Sequence, residues 1–177
     1  MTAYQYRREP LTKEEEDKLI NASQSHEEKL VVWILLDTGL RVSELATLTP
    51  DRVLWQEKRI MVYGKGGPYG KKTKRRIVPL TDRTRKLLEI HFASQNEIGL
   101  STRTIQRIIT RVANRATIAK KVTPHVLRHT FAVRCIQKGV STRALQEFLG
   151  HDHLETTEIY LNLSPEEALN EFYRKWF

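Results

Sequence analysis

Cysteine is nearly missing from this chain of 177 residues: Cys135 stands alone. A single thiol excludes an internal disulfide and fits a reducing compartment. No run of about eighteen apolar residues occurs, which excludes a membrane-spanning helix. The opening stretch "MTAYQYRREPLTKEEEDKL" also lacks the apolar segment that directs secretion. Internal repeats and low-complexity tracts are absent, and no stretch reads as an interdomain linker. Acidic residues are in deficit, 21 against 30 Lys and Arg, for a formal net charge of +9. What remains is a chain expected in the cytoplasm, and in contact with the nucleoid if its charge serves nucleic acid. The length suits one ordinary domain with a real core. A hydrophobic content of 40% with three Trp argues for a folded protein rather than a disordered one.

The positive charge is local. Between Lys58 and Lys86 lie eleven basic residues (58, 59, 65, 71, 72, 74, 75, 76, 83, 85 and 86) against one acid, Asp82. Such a block favours a polyanionic partner, because each phosphate neutralised releases counterions. A solvated surface is the plainer alternative.

Helical signals dominate the rest. Thr12 followed by Glu15 forms a capping-box pattern for a helix running to about Ser23. "EEKLVVWILLDTG" has an almost wholly apolar centre and stops at Gly39, as a buried core helix does. "RVSELATL" predicts a short helix with Val42, Leu45 and Leu48 inward. The period then changes: "RVLW", "RIMVY" and "RRIVPL" are short β-rich runs, with "GKGGPYGKKTK" as the loop before the last. Helices resume over 82–93 and over 101–116, where Ile105, Ile108, Ile109 and Val112 share a face. Thr123 and Pro124 open a helix over 124–138 closed by Gly139, and Ser141 caps 142–149, closed by Gly150. A segment Thr156–Leu161 follows, and a last helix over about 165–176 carries Leu169, Phe172 and Trp176. The fold class expected is mainly α with a small three-stranded antiparallel β-sheet (α+β), in one domain over 1–177.

Candidate chemistry gathers in "TPHVLRHTFAV", where His125, Arg128 and His129 share a helix turn. Four of the six histidines (125, 129, 151, 153) lie in this part of the chain, which raises a metal hydrolase as one reading. Against it, the His125/His129 pair lacks the acid of H-E-x-x-H, no cysteine ligand is near, and Arg128 between the pair opposes a divalent ion. An anion site explains more, since Arg128 offers a planar fork suited to two phosphate oxygens. Arg41 follows the Gly39 turn in "DTGLRVSEL", where it can reach into a cleft, and Glu44 three residues on can orient Arg41 or a histidine. Each alone also fits a plain role: a surface arginine with its i, i+3 glutamate, a packed His129, a core Tyr160 with a satisfied hydroxyl.

Taken in order, "TGLRVSEL", "GKG…RRIVPL", "TPHVLRHTFA" and "LGHDHLETTEIY" resemble the tyrosine recombinases, the class of phage integrases and Xer-type recombinases. The resemblance spans about residues 30–165. It implies a catalytic-domain-like fold and site-specific DNA recombination through a covalent 3′-phosphotyrosine, with no metal or cofactor. Arg41 and Arg128 match the two arginines that clamp the scissile phosphate. His125 matches the histidine of H-x-x-R, His151 the one after Leu-Gly, and Tyr160, nine residues later, the nucleophile. Lys65 matches the general acid, although Lys71, Lys72 or Lys74 in the same long loop can compete for that role. Glu44 matches an acid that supports the site. Lys71, Lys72, Lys74, Arg75 and Arg76 are expected to contact DNA.

The residue types suit the reaction. A phosphodiester repels nucleophiles and has a poor alkoxide leaving group, so fixed positive charge must surround its pentacovalent transition state. A tyrosine hydroxyl, with a pKa of about 10, needs a base or a strongly cationic site. Its ester conserves the bond energy, so a second DNA hydroxyl reverses the step. Fewer than about thirty residues precede the matching region, so the N-terminal core-binding domain usual in the family is expected to be absent. The partners expected are double-stranded DNA and further copies of the chain in a tetrameric synapse. There the C-terminal helix either docks in trans or packs on its own domain. A catalytically silent DNA-binding relative and a type IB topoisomerase-like enzyme are the competing readings.

Overall fold

The computed structural model describes residues 9–64 and 75–150, together with 169 and 172–174. Among these, α1 (Lys13–Ala22), α2 (His26–Thr38) and α3 (Val42–Ala46) lead through a single 3-10 turn (Pro50–Arg52) into the sheet. The strands β1 (Val53–Leu54), β2 (Arg59–Tyr63) and β3 (Arg75–Pro79) precede α4 (Asp82–Phe92), α5 (Thr102–Arg115), α6 (Pro124–Gln137) and α7 (Thr142–Leu149). Leu169 and the run 172–174 are helical. The rest of the expected last helix, Trp176 included, and the segment Thr156–Leu161 lie outside the described residues.

The helix boundaries follow their caps. Thr12 accepts from the Glu15 amide at 3.2 Å while Glu15 accepts from the Thr12 amide at 2.9 Å, and Ser25 and Glu28 form the same reciprocal pair at α2. Each box satisfies two amides that the first helical turn leaves without partners. Thr123 and Ser141 cap α6 and α7 in the expected way.

Helix α2 is the axis of the domain. Leu30, Val31, Val32, Ile34, Leu35 and Leu36 are each at most 1% exposed. A helix apolar on all sides must be covered on all sides, and α1, α3, α4, α5, α6 and β3 pack around it. Helix α5 adds Ile105, Ile108, Ile109 and Val112 to this core, the face expected from sequence. A smaller core of Phe131, Ala132, Leu145 and Leu149 joins α6 to α7.

The sheet is antiparallel in the order β1-β2-β3, with Val53 opposite Ile60, Ile60 opposite Val78 and Val62 opposite Arg76. Because side chains alternate across a strand, Ile60, Val62, Val78 and also Arg76 point inward, all buried. Tyr63, Arg75 and Ile77 point out and are exposed.

Candidate active site

The first half of the site is built on the turn between α2 and α3. Gly39 adopts φ +64°, and a Cβ at that position would fall 2.4 Å from Cδ1 of Phe131, so a side chain is excluded on both conformational and steric grounds. The turn sends Leu40 into the core at 1% exposure and leaves Arg41 at the surface. Arg41 is the N-cap of α3, and Glu44 reaches back to accept from its amide at 2.7 Å and from its Nη1 at 3.1 Å.

Glu44 holds a second arginine. Arg76 of β3 donates from Nη1 and Nη2 to the two Glu44 oxygens at 2.6 and 2.7 Å, and from Nε to the Phe148 carbonyl at 2.8 Å. Burial by itself would raise the Glu44 carboxyl. The Arg76 hydrogen bonds, the Arg41 amide and the charges of both arginines outweigh it and hold the group down at about 2. The carboxylate is therefore ionised throughout the neutral range. Arg76, one of the residues expected to contact DNA, is 6% exposed and faces inward. Arg75, its neighbour on the outer face, is exposed.

The second half is Arg128 of α6. Its Nη1 donates to the Gly39 carbonyl and its Nη2 to the Leu149 carbonyl at 2.6 Å. A guanidinium set between the carbonyl ends of α2 and α7 also complements both helix dipoles. Arg128 thereby touches the turn that presents Arg41, two residues on from its acceptor Gly39. His125 is exposed in the first turn of α6, where helix amides favour an anion. His129 is half-buried, and that burial pushes its pKa down to about 4, so the ring is neutral at pH 7. Lys65, Lys71, Lys72, Lys74, His151 and Tyr160 lie outside the described residues.

The basic block from Lys58 to Lys86 is partly neutralised by acids of the same chain, at the surface and in the interior. Lys58, Arg59, Arg76, Arg83 and Arg85 pair with Asp82, Glu57, Glu44, Asp37 and Glu89. A basic row that sequence reasoning passed over lies on α5. Arg103, Arg107, Arg111 and Arg115 recur every fourth residue on its polar side, and the helix contains no acid. Arg103, Gln106, Arg107, Thr110, Arg111 and Asn114 line a shallow open groove there. The signal was the i, i+4 spacing of arginines opposite an apolar face. Glu28 anchors the end of the row, accepting from Arg111 and from Arg115. Arg115 draws its carboxyl down to about 2, against a smaller opposing effect of burial.

Among the described residues, no group of three or more His, Cys, Asp or Glu is arranged to hold a metal ion, and no helix is long and apolar enough to cross a membrane. Burial raises the Cys135 thiol to about 11, so it carries little thiolate at neutral pH.

Comparison with known proteins places this geometry. The model of the phage integrase family matches residues 9–167. Tyrosine recombinase XerA of Thermococcus kodakarensis is 36% identical over 172 residues, covering 88% of this chain and 58% of that protein. The crystal structure of XerA recombinase superposes with a TM-score of 0.78 at 35% identity, covering 94% of this chain and 64% of that one. The catalytic domain of bacteriophage HP1 integrase gives a TM-score of 0.70 at 27% identity, covering 93% of this chain and 95% of that domain. The chain thus spans a little under three-fifths of the length of the curated relatives it matches first, 58% and 56%.

Proposed function

The chain belongs to the phage integrase family, and from that premise we propose that it is the catalytic part of a site-specific tyrosine recombinase acting on double-stranded DNA. Arg41 and Arg128 clamp the scissile phosphate, with His125 and His151 donating beside them. The Tyr160 oxygen attacks phosphorus as its proton passes to solvent in the cationic site, the bond to the 5′ oxygen breaks, and Lys65 supplies the proton that makes the departing oxygen a 5′-hydroxyl. The product is a 3′-phosphotyrosine that a second 5′-hydroxyl reverses, so the exchange requires no external energy source. Fixed cations stabilise the developing charge without a metal or cofactor.

The observation that carries this reading is the convergence of Arg41 and Arg128 on one turn, the first held by Glu44 and the second by two backbone carbonyls. Arg75, the loop lysines and the α5 arginines extend the positive surface to flanking phosphates. Copies of the chain assemble as a tetramer on DNA, within the nucleoid. The exposed Leu169, Phe172 and Tyr173 supply an apolar face for docking of the last helix in trans.

Covalent trapping tests the proposal. The protein is incubated with supercoiled plasmid and with a pool of nicked duplexes in EDTA, then quenched in SDS. A protein–DNA adduct is expected, and it disappears in Tyr160→Phe. Cleavage that appears only when zinc or magnesium is restored would overturn the proposal in favour of a metal hydrolase. DNA binding without an adduct under either condition would favour a silent DNA-binding relative.

A further inference from the structure

We propose that Arg76 is a positioning residue for strand cleavage, one that fixes Arg41 through Glu44 and fixes the chain entering position 151 through the Phe148 carbonyl. The inference rests on the recombinase reading above and adds a residue to it.

The geometry gives Arg76 three simultaneous bonds. Each of its guanidinium nitrogens donates to the protein, two to the Glu44 carboxylate and Nε to Phe148. Those acceptors lie on different elements, α3 and α7, while Arg76 itself stands on β3. A rigid fork between three elements fixes distances in a way that a flexible ammonium does not.

Glu44 carries the first effect. Its side chain is 8% exposed whereas that of Arg41 is 44% exposed. A long, half-solvated arginine has many rotamers, and the carboxylate that restrains it must itself be held. Arg76 does that with a two-point contact from behind. The arrangement is a buried cation, an anion and a surface cation in series, so a displacement of Arg76 moves the position from which Arg41 reaches a phosphate.

The end of α7 carries the second effect. Two successive carbonyls of its last turn accept from arginines, Phe148 from Arg76 and Leu149 from Arg128. Gly150 follows at φ +67°, and a Cβ there would fall 2.9 Å from Cδ of Arg76. The close approach leaves the arginine stem lying against the residue that leads into position 151, where the expected histidine stands.

Stability alone is a weak reason for such a pair. A buried arginine–glutamate bridge is often replaceable by apolar residues of similar volume at little cost. A direct phosphate contact is the other plain role, and it would require breaking the two-point bond to a buried carboxylate or the Nε bond to Phe148. Positioning is the role that uses all three bonds.

The test compares single-turnover adduct formation on nicked duplexes with gel-shift affinity for the same duplexes. Arg76→Lys keeps the charge and loses the fork. It should slow adduct formation by ~10- to 100-fold, the scale set by misplacing a reacting group by about 1 Å, with affinity changed by no more than about twofold. Glu44→Gln should slow it as well, and the double variant should be less than multiplicative, because both act on one chain of contacts. If Arg76→Lys fails to fold, the neutral pair Arg76→Gln with Glu44→Gln replaces it, since that pair leaves no buried charge uncompensated. Slow cleavage at preserved affinity in that pair supports the proposal. Wild-type cleavage rates in whichever variant folds would overturn it, as would a fall in affinity that accounts for the whole loss. If the unaltered protein forms no adduct on any duplex, the recombinase reading fails first and this inference falls with it. A variant-specific result overturns the inference alone.

Discussion

Two buried carboxylates in this protein gather arginines in nearly the same way and serve different ends. Asp37, near the end of α2, accepts from Arg83 Nε and Nη2 at 2.6 Å each, from Arg134 Nη2 at 2.9 Å and from the Thr81 hydroxyl at 2.7 Å. Arg134 also reaches Glu16 on α1 and the Leu36 carbonyl. Every partner of Asp37 belongs to the packing of α2 against α4 and α6. Burial opposes ionisation of Asp37, yet the Arg83 and Thr81 contacts win and lower its pKa. Glu44 has the same chemistry on one side, a buried Arg76, and on the other side an arginine that faces solvent. Both clusters reach solvent through an arginine, Arg83 at 34% and Arg41 at 44% side-chain exposure, but Arg83 joins two packed helices whereas Arg41 stands on the turn of the candidate site. A buried ion pair is therefore read by where its emerging member stands, not by burial alone.

The widest separation between the two clusters should come from Arg41→Ala. Adduct formation is expected to fall by ~10³-fold, as when one transition-state donor is removed, while the exposed pair it leaves costs no more than about 1 kcal/mol in a thermal melt. A comparable loss of stability would merge the two clusters into one class. Asp37→Ala should do the reverse. It strands two partly buried guanidinium groups and should lower unfolding stability by about 3 kcal/mol, read as a reduced urea midpoint at unchanged slope. Cleavage per folded molecule should persist.

Acid separates the groups in sequence. His129 has a folded pKa of about 4 against an ordinary 6.5, so its unfolded form binds the proton first. Stability linked to it is present above 6.5 and lost as pH falls toward 4. Glu28 and Glu44, held at about 2 from an ordinary 4.5, contribute above 4.5 and are lost toward 2. A stability curve against pH should descend in two stages, and His129→Gln should remove only the upper one. A single stage unaffected by that substitution would contradict the assignment.

The smallest change belongs to the rim. Arg107→Ala should weaken DNA binding on all sequences and reduce the slope of log affinity against log salt by about one. Arg111, already drawn to Glu28, should contribute less. Equal slopes for the two variants would show that the internal pair does not restrain Arg111.

Most of the scaffold was legible because its signals are local. The capping boxes, the glycine stops at 39 and 150 and the all-apolar run of α2 each depend on neighbours within four residues. The order and number of the strands were equally readable from their β-rich runs. The direction of Arg76 was not read, because a count of charges has no direction. The strand parity of "RRIVPL" held the missing information: Arg76 is two residues from Val78 and shares its face. The α5 row shares its helix with a strong apolar face, Ile105, Ile108, Ile109 and Val112, whose period masks the i, i+4 spacing of the arginines. Contacts such as Arg83 to Asp37 or Arg76 to Phe148 join residues far apart in the chain, and nothing in either neighbourhood names the other.

The anchoring of Arg128 has a consequence for how such a site changes over generations. Its acceptors at Gly39 and Leu149 are main-chain oxygens, which every amino acid supplies. Replacement of the side chain at 149 leaves the acceptor in place, provided the helix end keeps its path. Position 128 thus has no side chain at 149 with which to exchange compensating substitutions, and paired variation will not reveal the contact. These two contacts are inherited through backbone shape.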